Sequence, residues 1–551
     1  MPVGLYHHPD AVHRPGADIM GRRAAGSNML AALARETLTA PVHCVVDDPS
    51  HAEDFCHLVE SLAPGRQTKS HLMAAPETLG ELDAIMLPGP GIAEMAWQRA
   101  RRSRTAYSLC GITHTLATRR IAHALFDLYL APVTAWDAVI CTSRAARQVV
   151  ENHFDAAHDY LARERGATAR PHLELPVLPL GLDADALVPS PGLREIWRRR
   201  LNIEDGERVV MTLGRLSTLE KLQPAPLMMA LELAAEATEA EIRLVATGWF
   251  DSPESENMYR RAADRLAPSV ATTFIDGTDP EAVLGVRAAA DLFVMPVDNI
   301  QETFGLAILE AMAAGLPVVC SDWDGHRDTV VDGVTGITVP TLMAAPGGGA
   351  EIAERHDDGT DTYLQFLGQV QQRTAIDVRA LAAALAALIA EPEKARALGS
   401  AGQQRASTEF DWSVLLPRYR ALWAELAARR RREGSVISTA CHPAVLDPFA
   451  NYGHYATAHL KPDTLLDVER AVDADRIADL MHLTGDDQVG FSIAPPDLLA
   501  EVQTELVKSG PLPLLHLGKR LDMPADLLER CILWLVKYDL VQVDRRGTGG
   551  I

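Results

Sequence analysis

The sequence has few of the features that mark secreted or membrane-spanning proteins. Its seven cysteines are odd in number, scattered and without a CxxC pair, which predicts reduced thiols rather than disulfides or a zinc site. The longest nearly uniform apolar run, Ala380 to Ala390, is far shorter than the ~20 residues of a membrane-spanning helix. The start, MPVGLYHHPD, lacks the basic and apolar parts of a signal peptide, so we expect a cytoplasmic protein.

Positive charge is also scarce. The chain has 52 Lys and Arg against 74 Asp and Glu, a formal net charge of −22. Proteins that bind nucleic acid normally carry a basic footprint, so no nucleic-acid partner is expected. An anionic ligand would need a locally positive pocket. Such a pocket is feasible because salt screens charge repulsion beyond roughly 8 Å under physiological conditions.

What is present is enough apolar sequence for several cores. The chain is 551 residues long, 47% apolar and 23% charged, which is typical of a globular protein. Single hydrophobic cores stop growing near ~250–300 residues. The length therefore predicts two large domains and an additional smaller one.

The most informative stretch runs from Asp291 to Thr341. An apolar strand at Leu292 to Pro296 is followed by a polar loop and by a helix from about residue 305 to 314. Gly315 and a nearby proline end the helix, and a second apolar strand spans Pro317 to Cys320. Strand, helix and strand form a βαβ unit, in which ligands bind at the C-terminal ends of the strands.

Two carboxylates, Glu302 and Glu310, bracket the predicted helix start. Eight positions on a helix correspond to about 2.2 turns, so both side chains are expected on roughly one face. The backbone N–H groups of residues 303–306, between them, lie at a predicted helix N-terminus and are expected to be free. Free N–H groups at this position predict an anion-binding site.

This stretch resembles the donor-binding signature of the family-four retaining glycosyltransferases, which have the GT-B fold. The resemblance rests on the E-x₇-E pair, the intervening FGLAILEAMAAGLPVV and an Asp-Gly-x-x-Gly turn at residues 332–336. It implies that Glu302 contacts the transferred sugar and Glu310 the ribose of the nucleotide. It also implies that the backbone of three residues holds the distal phosphate: Phe304, Gly305 and Leu306.

A second segment with cationic residues, RVVMTLGRLSTLEKLQP, begins at Arg208. Gly214 and Arg215 follow its buried strand, and Lys221 comes six positions later. Fixed cations are needed where a nucleoside diphosphate departs, because charge develops on the leaving phosphate. The resemblance places Arg215 and Lys221 on that phosphate, although Leu222 replaces the usual glycine. The alternative is a surface Arg and Lys beside a turn.

Two further strand ends resemble parts of the family's donor cleft. Gly248 follows the strand Ile242 to Thr247, and the backbone near Ile275 would pair with the nucleobase. Backbone contacts do not reveal base identity, so UDP, GDP and ADP sugars stay open, with UDP or GDP sugars favoured. No cofactor other than this donor is expected.

The first ~190 residues predict a βα repeat, with strands at Val42–Val46, Ala84–Leu87 and Ala138–Thr142. The resemblance implies that a glycine turn including Gly21 faces the donor phosphates. A solvent-exposed helix start is the alternative. It also implies that a strand delivers His114 to the cleft, although a lone histidine is more often structural.

One acidic motif suggests a metal site that the resemblance argues against. Asp322, Trp323 and Asp324 spell D-x-D, and Asp47 with Asp48 form a second acidic pair. Oxygen ligands at such spacings suit Mg²⁺ or Mn²⁺. The resembled family uses no metal here, and the cations and the helix dipole already supply counter-charge. No metal is therefore expected.

Residues 342–376 interrupt the family pattern. A polar, glycine-rich part is interpreted as a flexible loop, and TYLQFLGQVQQRTAIDV after it could pack locally. A later helix, which resembles the one that crosses back onto the first domain, ends in the tract Arg429 to Arg432. Solvated helix faces explain this tract and QRARRSR (98–104) better than contact with anionic lipid, so membrane contact is expected to be peripheral at most.

The tail from residue 434 lies outside the family pattern. Three helical stretches, Leu498–Ser509, Leu514–Leu521 and Ala525–Tyr538, precede a short strand at Val541–Val543, an order that resembles a winged helix. From Phe491 onward seven basic residues face eight acidic ones, whereas a DNA reader would be basic. Contact with a protein partner, or self-association, is therefore the favoured role.

Together these features predict an α/β protein with two Rossmann-like domains (GT-B) facing a cleft, plus a small, mostly helical C-terminal domain. The expected divisions are an acceptor domain (1–190), a donor domain (191–410), a crossing helix (411–433) and a tail (434–551) with a winged-helix-like part (496–545). The expected function is a retaining glycosyltransferase, acting from a nucleotide sugar on an unidentified glycan, lipid or protein. The alternatives are a non-catalytic nucleotide-sugar-binding or regulatory protein and, less favoured, a phosphorylase or epimerase of the same fold.

Overall fold

Two parallel six-stranded sheets organise most of the chain. The computed structural model describes residues 1–9, 21–36, 40–434, 442–485 and 494–543. By internal contacts the chain divides into two units, Met1–Cys441 and His442–Ile551, and both sheets belong to the first. No helix among these described residues is both long and apolar enough to cross a membrane.

The first sheet has the strand order β3-β2-β1-β4-β5-β6, and all neighbouring strands are parallel. Its strands are β1 (Val3–Tyr6), β2 (Val42–Val46), β3 (Thr68–Leu72), β4 (Ala84–Met86), β5 (Ser108–Ile112) and β6 (Ala138–Ile140). Its helices are α1 (Gly21–Arg35), α2 (Pro49–Leu62), α3 (Pro76–Leu79), α4 (Ala93–Ala100), α5 (Arg119–Leu130) and α6 (Arg144–Arg165). The strands β4, β5 and β6 are buried throughout, as expected where both faces of a sheet are covered.

The second sheet follows α7 (Leu193–Arg200) and has the order β12-β11-β10-β7-β8-β9. Its strands are β7 (Arg208–Leu213), β8 (Ile242–Gly248), β9 (Ala271–Asp276), β10 (Leu292–Met295), β11 (Val318–Ser321) and β12 (Ile337–Val339). Its helices are α8 (Pro224–Thr238), α9 (Pro253–Leu266), α10 (Pro280–Ala289), α11 (Leu306–Ala313) and α12 (His326–Thr329). Numbered from its own first strand, each sheet has the order 3-2-1-4-5-6, so the predicted pair of Rossmann-like sheets is confirmed.

The segment 341–376, which we call the insertion lobe, has its own secondary structure. It comprises β13 (Thr341–Met343), α13 (Ala350–Asp357), α14 (Tyr363–Gln371) and β14 (Thr374–Ile376), and the two strands pair antiparallel at its base. Its polar, glycine-rich part was predicted to be a flexible loop. That prediction was wrong, because this part contains the helix α13, which the buried Ile352 anchors. The guanidinium of Arg355 also donates to both oxygens of Asp361, at 2.7 and 2.8 Å.

After the insertion lobe come α15 (Val378–Ala390), α16 (Pro392–Arg405), a π-helical turn (Ala406–Phe410) and α17 (Trp412–Arg432). The last of these returns to the first sheet domain, where Arg420 pairs with Glu36. Arg430 is 8% exposed and donates to the carbonyls of Thr105 and Ala106, at 2.9 and 2.7 Å. The expectation of solvated helix faces is therefore wrong for Arg430, and it is wrong for Arg99 in the run 98–104, whose fully buried guanidinium donates to both oxygens of Asp137 at 2.6 and 2.7 Å.

The chain passes between the two sheet domains at two adjacent points. Leu182, on the way out of the first domain, forms a parallel bridge with Asp411, on the way back. The N–H of Leu182 donates to Phe410 O at 3.1 Å, and the N–H of Trp412 donates to Leu182 O at 3.0 Å. Gly181 permits this approach, because a Cβ there would lie 2.6 Å from the Trp412 ring.

The second unit contains α18 (Pro448–Asn451), β15 (Leu465–Asp467), α19 (Ala474–Thr484), α20 (Pro496–Ser509), β16 (Leu512–Pro513), α21 (Leu514–Leu521), α22 (Ala525–Lys537) and β17 (Gln542–Val543). Its strands form an antiparallel sheet in the order β16-β15-β17. Leu499, Leu517, Ile532 and Leu535 are fully buried in its core. The three predicted tail helices are confirmed, and the winged-helix likeness stays a prediction.

Candidate active site

The carboxyl ends of β7, β8 and β9 approach one another through three glycines. A Cβ on Gly248 would lie 1.8 Å from the carbonyl oxygen of Gly214, and one on Gly277 would lie 2.6 Å from the Cα of Gly248. Gly214 also has a φ of +147°, a backbone conformation that other residues rarely adopt. Glycine at these positions keeps side chains away from the strand ends, where ligands of such sheets bind.

Glu302 lies in the loop between β10 and α11, and it is the centre of a charged cluster. Its carboxylate pairs with the ammonium of Lys221 and accepts the N–H of Gly305 at 3.0 Å and that of Phe304 at 3.4 Å. Only 12% of the Glu302 side chain and 22% of the Lys221 side chain are exposed. Because α11 begins at Leu306, the prediction that Glu302 and Glu310 share a helical face was wrong.

The charge state of Glu302 follows from these contacts. Burial alone would raise its pKa, but attraction to Lys221 and His326, with hydrogen bonds from Lys221 and the Phe304 N–H, outweighs burial. The pKa of Glu302 is consequently lowered to about 2. The carboxylate is ionised at any physiological pH, and a fixed positive partner is bound to it.

The same contacts correct the expected anion site. The N–H groups of Phe304 and Gly305 were expected to be free for a phosphate, whereas both donate to Glu302. Gly305 precedes α11 with a φ of +89°, and Leu306 is the first helical residue. The first N–H groups of a helix have no intrahelical acceptor, so the start of α11 still presents donors to this region.

The second predicted cation, Arg215, is also paired. Its guanidinium contacts the carboxylate of Glu220, and the amide of Gln301 donates to Glu220 at 3.3 Å. The Arg215 side chain is 24% exposed and that of Glu220 is 15% exposed. Sequence reasoning missed Glu220, although it stands directly before Lys221 in the motif that supplied both cations.

Glu310, on α11, has a buried partner that sequence reasoning also missed. Arg287 of α10 donates to its carboxylate at 2.7 Å, and the Arg287 side chain is 4% exposed. A single arginine within the apolar run VLGVRAAA was the available signal, because a buried guanidinium requires an acceptor. The pair fixes Glu310 within the second half of α11.

The D-x-D motif is divided between two environments. Asp322 pairs with Arg327 at 2.7 Å, whereas Asp324 accepts a hydrogen bond of 3.2 Å from Ser143 of the first sheet domain. Burial, and then the charge of Glu302, raises the pKa of Asp324 to about 7. Among the described residues no three His, Cys, Asp or Glu side chains are grouped so that they could hold a metal ion.

His326 stands behind the charged cluster and is completely buried. Its Nδ1 lies 3.2 Å from the carbonyl oxygen of Ser321. Burial is the main reason that its pKa is lowered to about 4, so the ring is neutral near pH 7. A Cβ on Gly305 would lie 2.8 Å from this ring, which explains why glycine precedes α11.

The two sheet domains meet beside Glu302. The hydroxyl of Thr303 donates to the backbone carbonyl of His114, and the N–H of Arg144 donates to Asp328 at 2.6 Å. The structure therefore brings His114 next to the charged cluster through its backbone. His114 also lines a cavity of roughly 660 Å³, open space included, which Met29, Met86, Ile112, Leu180 and Trp412 make largely apolar.

The remaining predicted residues are less informative. Ile275 is the penultimate residue of β9 and pairs in register with Thr247 of β8, close to the glycine cluster. Gly21 is the first residue of α1. The predicted glycine turn, which included Gly21 and Gly26, was wrong, because both residues belong to this helix; Met20 before it lies outside the described part of the chain.

Comparison with known proteins places this site in a family context. Residues 194–345, which include the Lys221–Glu302 and Arg215–Glu220 pairs, match the family model of glycosyl transferases group 1. The solved structure of Anabaena HepE in complex with UDP and glucose covers 77% of this chain and 100% of its own, with a TM-score of 0.52 and 16% identity. The protein has the GT-B fold. The likeness to HepE concerns this fold alone.

Curated relatives of the GT-B chain are more similar in sequence but match in part. A GDP-mannose-dependent alpha-(1-6)-phosphatidylinositol monomannoside mannosyltransferase of Mycolicibacterium smegmatis is 30% identical over 275 residues, 49% of this chain and 60% of the relative. A D-inositol 3-phosphate glycosyltransferase of Nocardia farcinica is 28% identical over 308 residues, 51% of this chain and 66% of the relative. The matches therefore span about two thirds or less of these relatives.

Proposed function

We propose that this GT-B protein is a retaining glycosyltransferase that moves a sugar from a nucleotide-sugar donor to an acceptor. The observation that carries the proposal is the Lys221–Glu302 pair at the start of α11, with Arg215 beside it, inside the segment that matches glycosyl transferases group 1. The partial relatives include a GDP-mannose-dependent enzyme, and HepE was solved with UDP. A UDP or GDP sugar is therefore the first donor class to test.

The chemistry assigned to the site is stabilisation of a leaving diphosphate. Charge accumulates on that phosphate as the sugar leaves, and fixed donors aimed at it lower the barrier. Lys221, Arg215 and the N–H groups at the start of α11 would supply positive charge without a metal. A diphosphate would compete with Glu302 and Glu220 for these cations, so donor binding should rearrange both pairs.

The other predicted residues take supporting roles in the proposal. Glu302 would contact the transferred sugar and Glu310, fixed by Arg287, the ribose. His114 would approach the reacting sugar from the first domain. Gly214, Gly248 and the backbone at Ile275 would bound the nucleotide. In this scheme residues 1–190 receive the acceptor, whose identity is left open, and residues 191–410 bind the donor.

The tail and the location complete the proposal. We assign residues 434–551, with the winged-helix-like part at 496–545, to contact with a protein partner or a second copy. Leu515 of α21 is 51% exposed and Leu533 of α22 is 45% exposed, which fits such a role. The protein is expected to act in the cytoplasm with at most peripheral membrane contact. Light scattering of the whole chain, with Leu533→Glu as the variant, tests self-association. A monomer at all concentrations would exclude self-association and leave contact with a protein partner as the role of the tail.

A donor screen tests the function. Thermal stabilisation and hydrolysis should be measured with UDP, GDP and ADP sugars, for the wild type, Glu302→Ala and Lys221→Ala. We expect one base class to stabilise the wild type and to be hydrolysed slowly, and both variants to lose turnover. Stabilisation without turnover, in the presence of acceptor candidates, would favour a non-catalytic nucleotide-sugar-binding protein. No response to any donor would defeat the proposal.

A further inference from the structure

The insertion lobe touches the two loops that carry the charged cluster. These are the β7–α8 loop, residues 214–223, and the β10–α11 loop, residues 296–305. The first contains Arg215 and Lys221, and the second contains Glu302. The lobe is the part of the second sheet domain that neither the family pattern nor the proposed chemistry explains.

The lobe has internal contacts that fix its conformation, so it can fix the position of the residues it touches. The strands β13 and β14 close its base, with Thr341 opposite Ile376. Thr362 and Gln365 form a reciprocal capping box at the start of α14, and Leu367 is fully buried beneath it. Such caps and buried anchors fix a short helix in one place.

One contact between the lobe and the loops is buried. The amide nitrogen of Gln371, the last residue of α14, donates to Asp298 at 2.7 Å. The two residues are 2% and 3% exposed. The same oxygen of Asp298 accepts the N–H of Gln223 at 3.3 Å, so this carboxylate joins the lobe to both loops. A buried carboxylate needs such donors, because an unpaired one is costly.

A second contact is steric. Gly368 of α14 faces Leu219 of the β7–α8 loop, and a Cβ on Gly368 would lie 2.9 Å from the Leu219 side chain. The helix backbone therefore rests directly on the leucine that precedes Glu220 and Lys221. Together with Gln371, this contact fixes α14 against the loop at two points.

The two loops are also joined to each other. Asn299 donates to the carbonyl of Leu219 at 2.6 Å, and Gln301 donates to Glu220 at 3.3 Å. Beyond these bonds lie the pairs Arg215–Glu220 and Lys221–Glu302. A continuous series of contacts therefore runs from Gln371, through Asp298 and the loops, to the cations.

We infer that the insertion lobe positions the cations of the donor site, and that Gln371 is the positioning residue through which it does so. The inference rests on the proposed function for its consequence in catalysis. Gln371 touches no reacting group in this assignment. It acts by fixing Asp298, and thereby the relative position of the two loops.

Paired substitutions separate this role from ordinary stabilisation. Gln371→Met keeps the length of the side chain and removes its donor, and Gln372→Met makes the same change at the next, exposed position. Hydrogen–deuterium exchange without ligand should rise in residues 217–223 and 298–302 for Gln371→Met alone. Exchange equal to that of Gln372→Met would overturn the inference. If Gln371→Met does not fold, Gln371→Asn, which keeps the donor on a shorter side chain, replaces it in the same exchange experiment.

Kinetics test the consequence for the donor. Gln371→Met should lower kcat/KM for hydrolysis of the nucleotide sugar on the order of tenfold, and Gln372→Met should leave it unchanged. In an Asp298→Asn background, Gln371→Met should have a smaller effect, since the carboxylate charge that accepts the Gln371 hydrogen bond is already gone. Faster exchange with unchanged kcat/KM would overturn the positioning role. If the wild type turns over no nucleotide sugar, the proposed function fails, and exchange still decides whether the lobe holds the loops.

Discussion

The two sheets of this protein have the same strand order but present different chemistry at their carboxyl edges. In the second sheet, three glycines and two cation–carboxylate pairs occupy the edge. In the first sheet, the corresponding edge borders a largely apolar cavity that includes His114. The topology therefore fixes where a ligand can bind, and the loops after the strands decide which ligand.

The difference also shows how each edge is held. The charged edge depends on contacts between residues far apart in sequence, such as Lys221 and Glu302. The apolar edge depends on packing, which tolerates substitution more readily. Substitutions at equivalent places in the two sheets should therefore have unequal consequences, and the following predictions run from the largest to the smallest.

Removal of a cation at the charged edge should have the largest effect. Lys221→Ala should lower turnover of the nucleotide sugar about 10²–10³-fold, because a fixed donor to the leaving phosphate is lost. Steady-state kinetics measure the effect. Lys394→Ala, which removes an exposed lysine of α16, is the control and should retain wild-type activity. Equal activity of the two variants would show that Lys221 takes no part in the reaction.

A methyl group added at either edge compares the two sheets directly. Gly248→Ala and Gly111→Ala should each reduce the free energy of unfolding by about 1–3 kcal/mol, from overpacking. The larger loss is expected for Gly248, whose Cβ would lie 1.8 Å from a carbonyl oxygen, against 2.6 Å for Gly111. Urea denaturation measures both. Gly89→Ala is the control, because a Cβ there has open space around it. A reduced free energy of unfolding for this variant would show that the close contacts of the Cβ are not the cause of the effect.

The contact between the two edges should depend on pH through Asp324. Its pKa is raised from 3.8 to about 7, so the folded protein binds a proton there that the unfolded chain releases at lower pH. The contribution of Asp324 to the free energy of unfolding should therefore fall as pH rises from about 4 to about 7, by on the order of 1–3 kcal/mol, whereas His326, whose pKa is lowered to about 4, contributes in the opposite sense. Asp324→Asn should remove this contribution, which is measured as the difference between the wild type and the variant in denaturation curves at several pH values. Asp322→Asn should keep it, and the opposite pattern would refute the assignment.

The apolar edge should contribute least to the chemistry. His114→Ala should lower kcat/KM about tenfold, the loss expected for one hydrogen bond to substrate. His123→Ala, on the exposed face of α5, is the control. A loss near that of Lys221→Ala would mean that the first sheet takes a direct part in bond cleavage, and no loss would leave His114 a packing residue.

The sequence predicted the second sheet domain more completely than the first. Short apolar runs located β7, β10 and β11, the family resemblance located β8, and the E-x₇-E spacing located Glu302 and Glu310. Local patterns of this kind survive folding because they depend on neighbours in sequence. The pairing of Lys221 with Glu302 was beyond such patterns, because the two residues are 81 positions apart.

Other failures have equally specific causes. The helix α13 has one buried residue, Ile352, so its sequence carries almost no helical periodicity. The N–H groups of Phe304 and Gly305 were assigned to a ligand because the carboxylate that accepts them could not be placed on the loop from spacing alone. The arginines at the end of α17 read as a solvated run because their acceptors, including the carbonyls of Thr105 and Ala106, belong to a distant segment.

The paired crossing at Leu182 and Asp411 has a mechanical consequence. The outgoing and returning segments are hydrogen-bonded side by side, so they form one connection between the two sheet domains rather than two independent linkers. We expect any closure of the two sheet domains to be a rotation about these segments, because sliding one segment past the other would break both hydrogen bonds. Such a rotation would bring the hydroxyl of Thr303 back to the same carbonyl, that of His114, each time the domains close.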